Sequence, residues 1–139
     1  MGDEYAILVR LHPQIHTDIK DTKYFTDVTD YEDVRQLILA CDVLVTDYSS
    51  ICMDFALLNK KTVFFAYDLE KYTAERDFYF DYASYVPGKV VRTLEELAEE
   101  IKAPFDKERN EKFVRFNFDF FDCESGKRVV ERVESFCKS

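Results

Sequence analysis

Three polar clusters in this chain each follow directly on an apolar run. Arg10, His12 and Pro13 come after the run that begins at Tyr5, Asp47, Tyr48, Ser49 and Ser50 after Val43–Thr46, and Tyr67-Asp68 after the run from Thr62. A guanidinium binds anionic oxygens in pairs, and an imidazole exchanges its proton near neutral pH. Serines at a helix start present hydroxyls beside unpaired backbone N–H groups, where the helix dipole favours a phosphate. Ser125-Gly126-Lys127 repeats that arrangement further on: the glycine permits close backbone approach and the lysine adds a point charge. Two helix starts with Arg10 are enough to hold a diphosphate. A glycine-rich cradle is excluded, because the only glycines are Gly2, Gly88 and Gly126. No GxGxxG can be written, and Ala83 and Phe121 stand where the first glycine of a Walker loop belongs.

Taken singly, each of these residues has a structural role that serves as well. A serine at a helix start is an N-cap, Asp47 fits a turn, and His12 fits a loop. His16 lies four residues after His12, but Pro13 interrupts any helix across them and no HExxH glutamate is present, so no zinc site and no cofactor is expected. Phe78, Tyr79, Phe80, Tyr82 and Tyr85 read as core or lid packing in preference to a base-stacking platform.

The elements that must position these groups follow from periodicity. Tyr5–Arg10 reads as a buried strand ending at His12-Pro13, and 24–28 as a second strand. Thr29 and Glu32 form a capping box, which predicts a helix from there with Val34, Leu37, Ile38 and Cys41 on its buried face. Val43–Thr46 is the next strand, followed by a helix with Ile51, Phe55 and Leu58 on one face. Thr62–Tyr67 is a strand rich in β-branched and aromatic residues. The polar, aromatic stretch from Asp68 to Pro87 is long for a connection and so reads as functional. Val90-Val91 is a short strand, and the Thr93/Glu96 capping box opens a helix that Pro104 ends. Phe113, Phe116 and Phe120 fit a helix face, while Phe116, Phe118 and Phe120 fit strand alternation equally well; the charged run before them favours helix. The last helix, from Ser125 to Phe136, carries Val129, Val130 and Val133. Alternation of strands and helices gives an α/β fold, a Rossmann-like parallel sheet with flanking helices, and such sheets bind ligands at the carboxyl ends of their strands.

Composition bounds the function. The chain has 139 residues, the size of one domain, and nine tyrosines and thirteen phenylalanines supply a core. A net charge of −9 opposes binding to a nucleic acid backbone. No apolar run approaches the roughly 20 residues that span a bilayer, and no signal peptide is evident. Cys41, Cys52, Cys123 and Cys137 form no CxxC pair and read as reduced thiols at a cytoplasmic address.

In combination the motifs are more specific. An apolar strand ending in Arg10-x-His12-Pro13, then the segment ACDVLVTDYSS ending at Ser50, resembles the C-terminal half of the CDP-glycerol:poly(glycerophosphate) glycerophosphotransferases, which build teichoic acids. Asp54-Phe55, the FFAYDLEKY segment from Phe64, the ERDFYFDY segment from Glu75, Val86-Pro87-Gly88-Lys89-Val90-Val91 and the final Ser125-Gly126-Lys127 with Arg132 continue the resemblance in order and spacing. Asp77 departs from it, standing where that family commonly has glycine, and Cys123-Glu124-Ser125-Gly126 replaces a more usual Asp-Gly approach.

The resemblance implies a GT-B-like enzyme of two Rossmann-type domains, of which residues 1–139 are a single nucleotide-donor-binding domain lacking the N-terminal acceptor domain. The implied partners are CDP-glycerol or a related cytidine diphosphate donor, a polyol phosphate acceptor and that N-terminal domain, where the family's other functional histidine belongs. The implied reaction moves glycerol phosphate to an acceptor hydroxyl with release of CMP. His12 would be the catalytic residue at the leaving phosphate, and Arg10, Ser49, Ser50, Ser125, Gly126 and Lys127 would hold the diphosphate. Arg76 would pair with the transferred phosphate or the acceptor, and Asp47 would orient the serines. The full-length enzyme would lie on the inner face of the membrane, touching it only through acceptor or N-terminal half. A non-catalytic nucleotide-binding module and a donor domain for CDP-ribitol or another activated polyol or sugar are the alternative readings.

Overall fold

From the amino end the chain forms β1 (Leu8–Val9), β2 (Thr26–Asp27), α1 (Val34–Ala40), β3 (Val43–Thr46), α2 (Ile51–Leu57), β4 (Lys61–Phe65), α3 (Leu69–Arg76), α4 (Tyr82–Tyr85), β5 (Lys89–Val91), α5 (Leu94–Lys102), α6 (Lys107–Asn117) and α7 (Ser125–Cys137). The computed structural model describes residues 4–137 apart from positions 13, 16, 18 and 77; Pro13, His16 and Asp77 thus lie outside the described residues. The elements fall into two units, Met1–Ala40 and Cys41–Ser139.

In Cys41–Ser139 three strands pair in parallel in the order β3-β4-β5. Val43 to Thr46 lie opposite Lys61 to Phe64, and Val63 to Phe65 opposite Lys89 to Val91. β4 is the central strand, and Lys61, Thr62, Val63 and Phe64 are all buried. Alternation along a strand sends neighbouring side chains to opposite faces. Phe64 joins Cys52 and Ala56 of α2, Tyr82 of α4, Val86 and Phe113 of α6 in one apolar core. Lys61 reaches α5 instead, where its Nζ donates to the carbonyls of Glu100 and Ala103 and lies 3.6 Å from the Glu100 carboxylate, which also pairs with Lys89 at 3.2 Å. A buried ammonium is thereby satisfied by carbonyls that a helix C-terminus leaves open.

Two side chains fix α6. Buried Asn110 donates from Nδ2 to the Ala56 carbonyl at 3.0 Å, and Arg109 donates to the carbonyls of Val86 and Ala83. Gly88 has no room for a side chain, because a Cβ there would stand 1.8 Å from the Thr62 carbonyl oxygen. The expected capping box of α5 is present, with Thr93 Oγ1 accepting from Glu96 N–H and Glu96 accepting from Thr93 N–H. The aromatic segment near 113 resolves as helix through Asn117, with Phe118 extended and Phe120 beyond the helix.

Met1–Ala40 holds a second ladder, β1 parallel to β2, with Leu8 opposite Thr26 and Val9 opposite Asp27. Here the expectations need correction. The first strand is two residues long and not buried: Tyr5, Ile7 and Leu8 are exposed, since the strand has one neighbour in its ladder. Thr29 does not cap a helix. Its Oγ1 accepts from Leu11 N–H and its own N–H goes to Asp27 Oδ1, so α1 starts at Val34, where Asp33 Oδ1 accepts from Arg35 N–H.

Three further findings concern the larger unit, the last two of them corrections. The stretch from Asp68 to Pro87, too long for a plain connection, contains α3 and α4. The buried face of α2 is Cys52, Phe55 and Ala56, not the Ile51, Phe55 and Leu58 stripe. In α7 no residue is buried, and Val129, Val130, Val133 and Phe136 are all more than half exposed.

Candidate donor-binding site

β3 ends at Thr46, and the next four residues, Asp47 to Ser50, turn the chain into α2. Asp47, Ser49 and Ser50 are exposed, at the strand end where a parallel sheet binds ligands. Asp47 Oδ1 accepts from the N–H of Tyr48 at 2.7 Å. Ser49 Oγ accepts from Ile51 N–H at 3.4 Å, a long bond, and Ser50 stands at the N-cap with no side-chain capping bond. The ordinary N-cap reading of the serines is therefore only weakly met, and their hydroxyls stay available to a ligand.

What fixes this turn lies behind it. Tyr48 stacks on Tyr72 with ring centroids 3.7 Å apart, and its hydroxyl donates to Asp68 Oδ1 at 2.7 Å. Tyr82 donates its hydroxyl to the Asp47 carbonyl, and its ring stacks on Phe78 at 4.8 Å. Burial, followed by the bond to Asp68, pushes the Tyr48 phenol well above the usual tyrosine range; burial first, with the neighbouring Cys52 and Tyr48, does the same for Tyr82. Both hydroxyls are thus donors. Behind the turn a cavity of about 190 Å³ is lined by Asp47, Ser49, Ser50, Cys52, Phe78 and Tyr82 among others, and burial pushes the Cys52 thiol up to about 11. Phe78 and Tyr82 spend their ring faces on one another and on Tyr48, which makes them packing residues, as expected. Tyr79 is fully exposed.

The other anticipated residues lie as follows. Arg10 follows β1 and donates from Nη1 to the carbonyls of Val28 at 3.2 Å and Tyr31 at 2.6 Å, which leaves its remaining N–H groups for an anion. His12 is exposed and accepts the Gln14 N–H at Nδ1, 3.2 Å away, so Nε2 is the nitrogen that carries the proton. Arg76 ends α3, exposed and with no ion-pair partner among the described residues. Ser125, Gly126 and Lys127 form the exposed first turn of α7, with Lys127 Nζ 3.6 Å from Glu124 and open space where a Gly126 side chain would be. Cys123, two residues before that helix, has φ 61°, the left-handed region that favours glycine. Within Cys41–Ser139 the structure joins Asp47, Ser49 and Ser50 on one turn; Arg10 and His12 belong to the other unit. Sequence reasoning placed Tyr48 and Asp68 in strand-end clusters and read Tyr82 as packing, but it did not find that Tyr48, Asp68, Tyr72 and Tyr82 together hold the turn.

The family model described as CDP-glycerol:poly(glycerophosphate) glycerophosphotransferase matches residues 1–135. The chain belongs to this family. The glycerophosphotransferase relatives include a teichoic acid poly(ribitol-phosphate) polymerase of Bacillus spizizenii, 37% identical over 96% of this chain and 22% of its own length. A teichoic acid glycerol-phosphate primase of Bacillus subtilis is 36% identical over 97% of this chain and 36% of its own. Among solved structures, a variant of the wall teichoic acid polymerase TagF matches with a TM-score of 0.78 and 31% identity over 99% of this chain and 36% of that one. A TagF variant after a 30-minute soak with CDPG matches at 0.79 and 30%, over 99% of this chain and 37% of that one. The α/β architecture with parallel ladders and flanking helices is thus that of a glycerophosphotransferase, and the chain spans between about a fifth and two fifths of the length of these relatives. Among the described residues no helix is long and apolar enough to cross a membrane.

Proposed function

We propose that this chain is the donor-binding part of an enzyme that transfers glycerol phosphate from CDP-glycerol to a hydroxyl of a glycerol phosphate or teichoic acid-like acceptor, releasing CMP. The observation that supports it most is the turn from Asp47 to Ser50. It is a TDYSS motif at a strand end with both serine hydroxyls exposed, in a chain that the family model matches from residue 1 to 135. In the reaction the acceptor oxygen bonds to the glycerol-bearing phosphorus, the anhydride bond from that phosphorus to CMP breaks, and the hydroxyl proton is released. Such transfer depends on positioning and on neutralising charge. Ser49, Ser50, Ser125, Gly126 and Lys127 of the larger unit hold the diphosphate, with Asp47 orienting the serines. Arg10, taken by itself, is a phosphate-binding residue in this reading, with the N–H donors that Val28 and Tyr31 leave open. His12 donates a hydrogen bond from its Nε2–H to the departing CMP phosphate and so offsets the charge that develops there, and Arg76 pairs with the transferred phosphate or the acceptor. Because the chain is acidic overall, with a net charge of −9, these few cations act locally.

The chain works with an N-terminal acceptor domain, and the enzyme meets the inner membrane face only through that half or through its acceptor. A ribitol donor is the second reading, favoured by the 37% identity to a poly(ribitol-phosphate) polymerase. Calorimetry with CDP-glycerol, CDP-ribitol and UDP-linked sugars tests both. The proposal expects CDP-glycerol to bind best; a preference for CDP-ribitol moves the function to the second reading, and no binding of any cytidine nucleotide at millimolar concentration overturns both.

A further inference from the structure

The turn from Asp47 to Ser50 presents its serines outward, yet the serine side chains do little to hold it. The Ser49 hydroxyl makes one long bond within the turn and the Ser50 side chain makes no capping bond. Two tyrosines approach from behind. Tyr82, the first residue of α4, donates to the Asp47 carbonyl, and α4 is itself capped by Asp81, whose Oδ1 accepts from Ser84 N–H at 2.9 Å. Tyr48, inside the turn, is clamped by its stack on Tyr72 of α3 and by its hydroxyl bond to Asp68 in the turn that leads into α3. The turn is therefore referenced to α3, α4 and the segment between β4 and α3 through one backbone carbonyl, one ring and one phenol hydroxyl, while its serine hydroxyls remain outside.

We propose that the Tyr82 hydroxyl on the Asp47 carbonyl and the Tyr48 hydroxyl on the Asp68 carboxylate are positioning residues' contacts, which hold the turn in its anion-binding shape before a nucleoside diphosphate arrives. This inference rests on the donor-site reading above. A pre-ordered turn loses less conformational freedom on binding than one that must be ordered by the ligand. Both phenols stay protonated at physiological pH, since burial raises them, so the lock is a steady one. Tyr85 supplies the contrast. It lies on the same short helix and packs on Phe113, but its hydroxyl donates to Asn117 Oδ1 at 2.6 Å, away from the turn.

The test compares Tyr82→Phe, Tyr48→Phe and Tyr85→Phe in the 139-residue chain. CDP affinity is measured by calorimetry well below the unfolding temperature, and amide hydrogen exchange is followed at Ser49 to Ile51. Loss of one such hydrogen bond corresponds to about a fivefold effect. The expected result is CDP binding weakened about fivefold by each of the first two changes, with faster exchange in the turn, and both readouts unchanged within about twofold in Tyr85→Phe. Equal CDP affinity in all variants, or an equal loss in all three, overturns the positioning role and leaves the donor site standing. No CDP binding by the unaltered chain removes the donor-site reading and this inference with it. Should Tyr82→Phe fail to fold, Tyr48→Phe and Asp68→Ala, which removes the acceptor, carry the same comparison, and Asp68→Asn, which retains one, is expected to restore affinity.

Discussion

Replacing Gly88 by alanine puts the β4–β5 pairing under direct strain. The added Cβ would lie 1.8 Å from the Thr62 carbonyl oxygen and 2.8 Å from its carbonyl carbon, where real contacts lie beyond about 3 Å. The obstructing atoms are main chain, in a central strand held by β3 on one side and β5 on the other, so no rotamer change relieves the clash. Separating the groups by more than an ångström breaks into the pairing that begins at Val63 opposite Lys89. Overpacking of a core ordinarily costs about 1–3 kcal/mol, and an immovable backbone belongs at the top of that range. Against it, alanine stabilises by about 0.4–1 kcal/mol through the entropy of the unfolded chain. Destabilisation wins, with a net loss of about 2–3 kcal/mol. Urea denaturation of the two chains reads this directly as a lower midpoint with an unchanged slope. A loss under about 0.5 kcal/mol would refute the reasoning, because the backbone approach at Thr62 would then not be tight.

Two further outcomes follow from the site and its caps. Asp81, Asp33 and Glu96 lie below their ordinary values because Ser84, Arg35 and the N–H groups of Arg92 and Thr93, respectively, donate hydrogen bonds to them. A carboxyl lowered on folding stabilises above its unfolded value and loses that contribution as pH falls through the folded one. Denaturation midpoints should therefore hold steady above about pH 5 and drop as the pH is taken below about 4, and a flat profile across that window contradicts the capping roles. In the two-domain enzyme that the proposed function requires, His12→Ala should lower kcat by about a hundredfold or more with little change in KM, as for loss of a hydrogen-bond donor to charge that develops in the transition state; an unchanged kcat removes its catalytic role.

The parts of the fold that could be read from the chain are those whose signals are local. Three of the four residues of β3 are β-branched, and the box that opens α5 needs only Thr93 and Glu96, three residues apart. Thr29 offered the same local signal at the other end of the chain, but Leu11, eighteen residues away, takes its hydroxyl, and such a partner leaves no mark on nearby spacing. The motifs at strand ends located Asp47, Ser49 and Ser50 correctly at the end of β3. The hydroxyl contacts of the tyrosines behind them went unseen for the same physical reason as that of Thr29: Tyr48 meets Asp68 across twenty residues and Tyr82 meets Asp47 across thirty-five. Periodicity finds faces of helices and strands, whereas a hydroxyl that reaches across a sheet end is decided by topology.

The central claim is that the turn from Asp47 to Ser50 is where this chain takes the diphosphate of a cytidine-linked donor. Titrating the ¹⁵N-labelled chain with CDP-glycerol, and following every backbone amide, tests it most directly. The account predicts saturable shifts largest at Ser49, Ser50 and Ile51, with further shifts at Ser125 to Lys127. Saturable shifts confined elsewhere, or none at millimolar donor, would contradict it.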